Sequence, residues 1–151
     1  MKNIQLDKLI SKAPTVSYSV GKLDKLVNQQ LSEILSELEV SLPQFTMLSN
    51  LHIDGEMANA KLASRSFISP QASNQIVKTM EEKGWINKCD DPNHGRILLI
   101  GLTLEGQEIY EKCKVKSMEF ENKMLEGLPT ENVLMLKATI QRLIVNLKEE
   151  E

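Results

Sequence analysis

The sequence is poor in the residues that most often carry chemistry or staple a small fold. It has two cysteines, two histidines and one tryptophan, and aromatic residues make up 4% of its 151 positions. Cys89 and Cys113 form no C-x-x-C pair and have no metal-ligand spacing, so the plain reading is two unpaired thiols in a reducing compartment, with no metal and no cofactor. There is no G-x-S-x-G, no phosphate-binding glycine loop and no isolated carboxylate pair on an apolar face. An enzyme would therefore lack an evident nucleophile, phosphate cradle or acid–base couple. Aliphatic runs such as Ile97–Ile100 are far too short to cross a bilayer. The opening MKNIQLDKLI is broken by charges and has no signal-peptide core, which points to the cytoplasm and away from a membrane.

What is present suits one soluble globular domain. Hydrophobic residues are 41% and charged residues 26% of the chain, and a chain of this length can bury most of its apolar surface without covalent help. The formal net charge is −3, unsuited to coating nucleic acid indiscriminately, but it is unevenly spread. Residues 1–60 carry net −2 and residues 97–151 net −3, whereas residues 61–96 carry net +2, from Lys61, Arg65, Lys78, Lys83, Lys88 and Arg96 against four carboxylates. The only basic third lies in the middle.

Leu23, Val27, Leu31, Ile34 and Leu38 recur at helical steps and predict one face of a first helix. Ser41-x-x-Gln44, with Pro43 between, is a capping-box start for a second helix that runs to about His52 and stops near Gly55. A short helix over Asn59–Ser66 has Leu62 and Ala63 as its apolar positions and a poor cap in Ala58. Ser69 and Pro70 open a fourth helix, and Gly84 closes it. Its inward face is Ser73, Ile76, Val77 and Met80; its outward face is Gln71, Asn74, Gln75 and Lys78. Two short strands, Trp85–Cys89 and Ile97–Leu102, flank the turn-rich loop DDPNHGR, Asp90 to Arg96. Thr103 caps a long helix to about Leu125. A last helix after Pro129 and Thr130 carries Val133, Leu136, Ile140, Leu143 and Leu147 at heptad spacing. Short helices, a tight turn and a following β-hairpin describe a winged helix-turn-helix, with the hairpin as its wing.

These segments, LPQFTML, KLA, SPQASNQIVKTMEEKGWI and LTLEG, in this order and spacing, resemble the MarR family of bacterial transcription regulators over about residues 20–125. The resemblance implies a mainly α fold with a small β-hairpin: a single domain over 1–151, with a winged helix-turn-helix at about 41–102. N- and C-terminal dimerisation helices at about 18–39 and 103–148 would flank it. It implies a homodimer bound to a pseudo-palindromic operator in double-stranded DNA, usually as a repressor. Many relatives release DNA on binding a small aromatic or phenolic anion, and others respond to cysteine oxidation. Family wings often read Asp-x-Arg; here His94, Gly95 and Arg96 stand instead, in a variant that pairs His-Gly-Arg with Phe67, Pro70 and Gln71. A glycine common in the family's turn is replaced by Phe67, and a non-glycine side chain disfavours positive φ.

The chemistry of the residues suits that role. An α-helix fits the major groove, and the amides of Gln71, Asn74 and Gln75 can pair bidentately with adenine. Ser69 and the helix start, with Pro70, suit a phosphate. Lys78 and Arg65 are candidates for backbone contacts. Arg96 is the residue expected to enter a narrow, electronegative minor groove, and His94 is either a pH-dependent phosphate contact or a solvated loop residue. Asp90 and Asp91 are expected to bond loop amides or to restrain a nearby base. His52, and more weakly Tyr18, are candidate effector contacts; His52 is otherwise a satisfied structural residue. The heptad face of the last helix is expected at the dimer interface rather than in an intrachain core. Cys113 reads as core packing, while Cys89 could oxidise but has nothing beside it to depress its pKa. The competing reading is a winged-helix protein-interaction module that does not bind DNA; a cysteine-redox-responsive regulator is the other.

Overall fold

The computed structural model describes residues 14–148, which divide after Lys116 into two compact units. The expectation for MKNIQLDKLI falls outside the described residues. The elements are α1 (Val16–Ser36), α2 (Leu42–Asp54), β1 (Met57–Ala58), α3 (Asn59–Arg65), α4 (Pro70–Glu82), β2 (Ile86–Asp91), β3 (His94–Leu102), α5 (Leu104–Met124) and α6 (Thr130–Leu147). Six helices and a three-stranded antiparallel sheet of order β1-β3-β2 make a mainly α fold containing a winged helix-turn-helix.

Helices α1, α2, α4 and α5 begin where the sequence offers an oxygen to the unpaired first-turn amides. Ser41 Oγ accepts from the Gln44 N–H while the Gln44 side chain accepts from the Ser41 N–H, a complete capping box. Ser69 Oγ accepts from Ala72 N–H, and Thr103 Oγ1 accepts from Gly106 N–H. Ala58 gives α3 no side-chain cap.

Three helices end in the same way. The amide of Val40 bonds the carbonyl of Leu35, that of Ile68 bonds Ala63, and that of Trp85 bonds Met80. Inside each loop, Glu39 bonds Ser36, Phe67 bonds Ser64 and Gly84 bonds Glu81. This is the Schellman pattern, and it requires a left-handed residue at the C′ position. Gly84 meets that need at φ 75°, whereas Glu39 and Phe67 meet it at φ 56° with a Cβ in the way.

In the first unit one apolar core joins every element except α1. Met47, Leu48 and Leu51 of α2 pack with Met57 of β1, Leu62 of α3, Val77 and Met80 of α4, Ile86 of β2, Ile100 of β3 and Tyr110 of α5. Burying each such aliphatic side chain is worth about 1.5–3 kcal/mol. A second cluster holds Leu35, Val40 and Cys113. Cys113 is fully buried and its thiol is pushed up to about 11 by that burial, as core packing implies. Asn59 ties α3 to α4: its amide donates to the Pro70 carbonyl and its oxygen accepts from the buried Ser73 hydroxyl at 2.6 Å.

Three expectations need correction. First, α1 ends at Ser36, because the Schellman turn from Leu35 to Val40 stops it; Leu38 lies in that turn, and Leu35, outside the periodic set, is the fully buried residue. Second, the seven-residue loop from Asp90 to Arg96 shrinks to the turn at Pro92 and Asn93, with Asp91 in β2 and His94, Gly95 and Arg96 in β3. Third, Met57 and Ala58 are a strand, paired with Ile100 and Leu99. Two residues are too few for a period to reveal.

The second unit contains the last residues of α5 and all of α6, with a Lys137–Glu121 ion pair at 3.9 Å. No residue of α6 is buried. The heptad positions Leu136, Ile140 and Leu143 are about 40% exposed, Val133 is half-buried and Leu147 is 85% exposed. Leu134, Met135 and Val145, which the heptad leaves out, are more exposed than the first three.

Candidate nucleic-acid interface

Helix α4 is two-faced for a physical reason. Ser73, Val77 and Met80 are held inside by α2, α3 and the sheet, which turns Gln71, Asn74, Gln75 and Lys78 to solvent. Pro70 at the first helical position has no N–H to leave unpaired, and Ser69 caps the amide of Ala72. A rigid helix start with a row of amides and one lysine results, a surface able to meet phosphate at its end and base edges along its side.

The wing rises beside it. The β2–β3 ladder runs in register from Ile86 opposite Leu102 to Asp90 opposite Leu98, then jumps to Asp91 opposite His94. Gly95, Arg96 and Ile97 therefore face no residue of β2, and the ladder is irregular there. Such a break in the ladder locally bends the strand, and Arg96 lies within it, exposed to solvent. As expected, Asp91 is spent locally: its Oδ1 accepts from the Asn93 N–H at 2.8 Å. His94 is exposed on the wing.

Charge pairing separates the basic residues of the middle segment. Arg65 pairs with Asp54, Lys88 with Glu81 at 3.0 Å, and Lys83 donates to the Glu39 carbonyl and lies over the Trp85 ring. Among the described residues, Lys61, Lys78 and Arg96 have no carboxylate within ion-pair distance. Lys61, exposed on α3, was not singled out by the sequence, since a single lysine on a seven-residue helix carries no pattern. Arg65 remains part-exposed but is committed to joining the ends of α2 and α3.

A cleft of about 320 Å³ opens between the end of α2, the sheet and the start of α5, and His52, Glu56, Asn87, Cys89 and Gln107 contribute to its wall. The His52 ring stacks on Tyr110 at 4.2 Å, and its Nδ1 lies 3.0 Å from the Gln107 carboxamide. Those contacts fix the imidazole at the cleft edge. Tyr18 is not part of this wall; it stands 61% exposed on α1. Cys89 lies in the cleft and donates to the Glu56 carboxylate at 3.2 Å. That hydrogen bond, with desolvation and the nearby acidic charges, raises the thiol above its ordinary pKa, so the reactive thiolate is disfavoured. No described helix is long and apolar enough to cross a membrane.

The comparisons agree with this geometry. The MarR family model matches residues 40–98, from the start of α2 into the wing. The multiple antibiotic resistance protein MarR of Salmonella typhimurium is 25% identical over 130 residues, covering 83% of this chain and 90% of its own. The solved structure of wild-type MarR from E. coli superposes with a TM-score of 0.77 at 20% identity, over 87% of this chain and 98% of that one. The Mycobacterium tuberculosis MarR-family protein Rv2887, solved with salicylic acid, superposes with a TM-score of 0.72 at 22% identity, over 88% and 98%. Sequence match, fold and the order of capped helices and wing converge on one likeness: this chain is similar to the MarR family of transcriptional regulators over its winged helix-turn-helix.

Proposed function

We propose that the chain is a dimeric repressor that holds a pseudo-palindromic operator with α4 and the wing of each subunit, and leaves it when a small aromatic anion binds. On this reading residues 41–102 are the winged helix, and about 18–39 and 103–148 supply the dimer, with Val133, Leu136, Ile140, Leu143 and Leu147 in its interface. The regulator works in the cytoplasm, where the chromosome is. Gln71, Asn74 and Gln75 read bases; Ser69, Pro70, Lys78 and Lys61 position the helix on phosphates; Arg96 enters the minor groove with His94 beside it, and Arg65 supports the backbone side. The observation that carries the reading is that the unpaired cations of the basic segment, Lys61, Lys78 and Arg96, stand on the same winged-helix unit as the amide row of α4.

An aromatic carboxylate as effector draws on the salicylic acid bound by Rv2887 and on the imidazole of His52 at the edge of a cleft. The raised thiol of Cys89 and the burial of Cys113 weigh against a cysteine-oxidation switch.

The test is a titration of DNA from upstream of the protein's own gene. Three unpaired cations per subunit, about six per dimer, give a slope of log affinity against log salt near −5, and affinity falls by roughly 10³ between 50 and 200 mM salt. Arg96→Ala should flatten that slope by about two units, one contact per subunit. Binding to no fragment even at low salt would favour the protein-interaction module. A slope unchanged by Arg96→Ala would remove the wing from the account.

A further inference from the structure

Phe67 is paid for twice in the folded chain. It occupies the C′ position of the Schellman turn after α3, with its amide on the Ser64 carbonyl and φ 56°, a conformation that glycine adopts freely and a phenylalanine does not. Its side chain is 95% exposed, the most exposed of the large hydrophobic residues described. The fold thus bears a strained backbone and a hydrated aromatic ring at one position, and no packing contact compensates. The same motif after α4 uses Gly84; after α1 it uses Glu39 at the same φ, but with a charged side chain that water solvates, so Phe67 alone combines the strain with an exposed apolar ring. The neighbours on either side are ordinary: Ser66 is buried and bonded to Asn50, and Ile68 packs on the main core.

The turn lies two residues before Ser69, the cap of α4, and the N-terminal end of a recognition helix is the part that meets the groove. We propose that Phe67 is a DNA-contacting residue, its ring making an apolar contact with a thymine methyl or the deoxyribose at the groove edge where α4 enters. The proposal rests on the DNA-binding reading above. An aromatic side chain is among those that meet a thymine methyl, and such a contact excludes water without displacing a counterion. Phe67 then adds affinity that does not depend on salt, beside the salt-dependent contribution of Lys61, Lys78 and Arg96.

The experiment compares Phe67→Gly, Phe67→Asn and Phe67→Tyr with the parent on the same upstream fragment at two salt concentrations, together with thermal melts of each free protein. Phe67→Gly should melt about 2–4 °C higher, because the strain is relieved, and bind DNA about tenfold more weakly with an unchanged salt slope. Phe67→Asn, which tolerates the left-handed conformation, should also lose affinity, and Phe67→Tyr should keep it. DNA affinity equal to the parent's in Phe67→Gly, while the parent binds DNA in a salt-dependent way, overturns the assignment and leaves the regulator reading intact. Failure of the parent itself to bind any fragment overturns both.

Discussion

Gly106→Ala is expected to unfold the winged-helix unit or leave it severely destabilised. A Cβ built on Gly106 would sit 1.9 Å from the Trp85 carbonyl oxygen and 2.9 Å from its carbonyl carbon. Both are backbone atoms, and they are not at liberty to move. The Trp85 carbonyl accepts from the Thr103 N–H at 3.0 Å, the Trp85 amide closes the turn after α4, and the Trp85 ring packs against both core clusters. Relief would require α5 to lift off the strand pair, breaking the Thr103 cap on Gly106 and the Thr103 hydroxyl bond to the Gly84 carbonyl. Forcing one methyl into a packed site commonly costs 1–3 kcal/mol when side chains can yield, so about 3 kcal/mol or more is expected where only backbone can. Alanine is the better helix former, by about 1 kcal/mol in an exposed helix, so the packing clash and the propensity pull in opposite directions and the clash wins. Denaturant melts of the purified variant check this; a midpoint equal to or above the parent's would contradict the close approach of α5 to Trp85.

The second large effect concerns assembly. Helix α6 has 18 residues, and Leu134, Met135, Leu136, Ile140, Leu143, Ile144, Val145 and Leu147 are each more than a third exposed. In the first unit, helix α1 by itself exposes Val16, Val20, Leu23 and Leu26 at 47–68%. Monomeric proteins rarely leave a large apolar face in water, and on the proposed dimeric reading a second subunit covers the face of α6. Leu136→Glu with Leu143→Glu would place two carboxylates per subunit in that cover. The expected result is a monomer in sedimentation, with helical content largely retained. Operator affinity should fall by about 10²–10⁴, because the second recognition helix no longer arrives at the high effective concentration set by the first. A variant that stays dimeric and binds DNA as before would move the interface away from this face.

Much of the DNA-binding unit was legible in the sequence. Ser41 with Gln44, Ser69 with Pro70, Gly84 and Thr103 are local signals, each sufficient to place a helix end, and the structure uses all of them. The inward and outward faces of α4 followed from its 3.6-residue period. What escaped depends on partners distant in sequence. Met57 and Ala58 become a strand only because β3 lies alongside. The wing loop shortens because β2 and β3 extend past a register break at Gly95, Arg96 and Ile97, and such a break has no periodic signature. Leu38 fitted the helical period of α1 but was cut off by a left-handed Glu39, a residue that does not announce a helix stop. For the candidate site, the amide row and Arg96 were visible as residue types. Which cations remain unpaired, and that Arg65 is held by Asp54, depend on residues brought together only by the fold.

The most direct measurement is a hydroxyl-radical footprint of the protein on DNA from upstream of its gene. A dimer of winged helices predicts two protected zones related by a pseudo-twofold, their centres about one helical turn of 10–10.5 base pairs apart or a multiple of it. Protection absent at low salt, or confined to one unrepeated zone, would contradict a symmetric dimer that reads DNA through α4 and the wing.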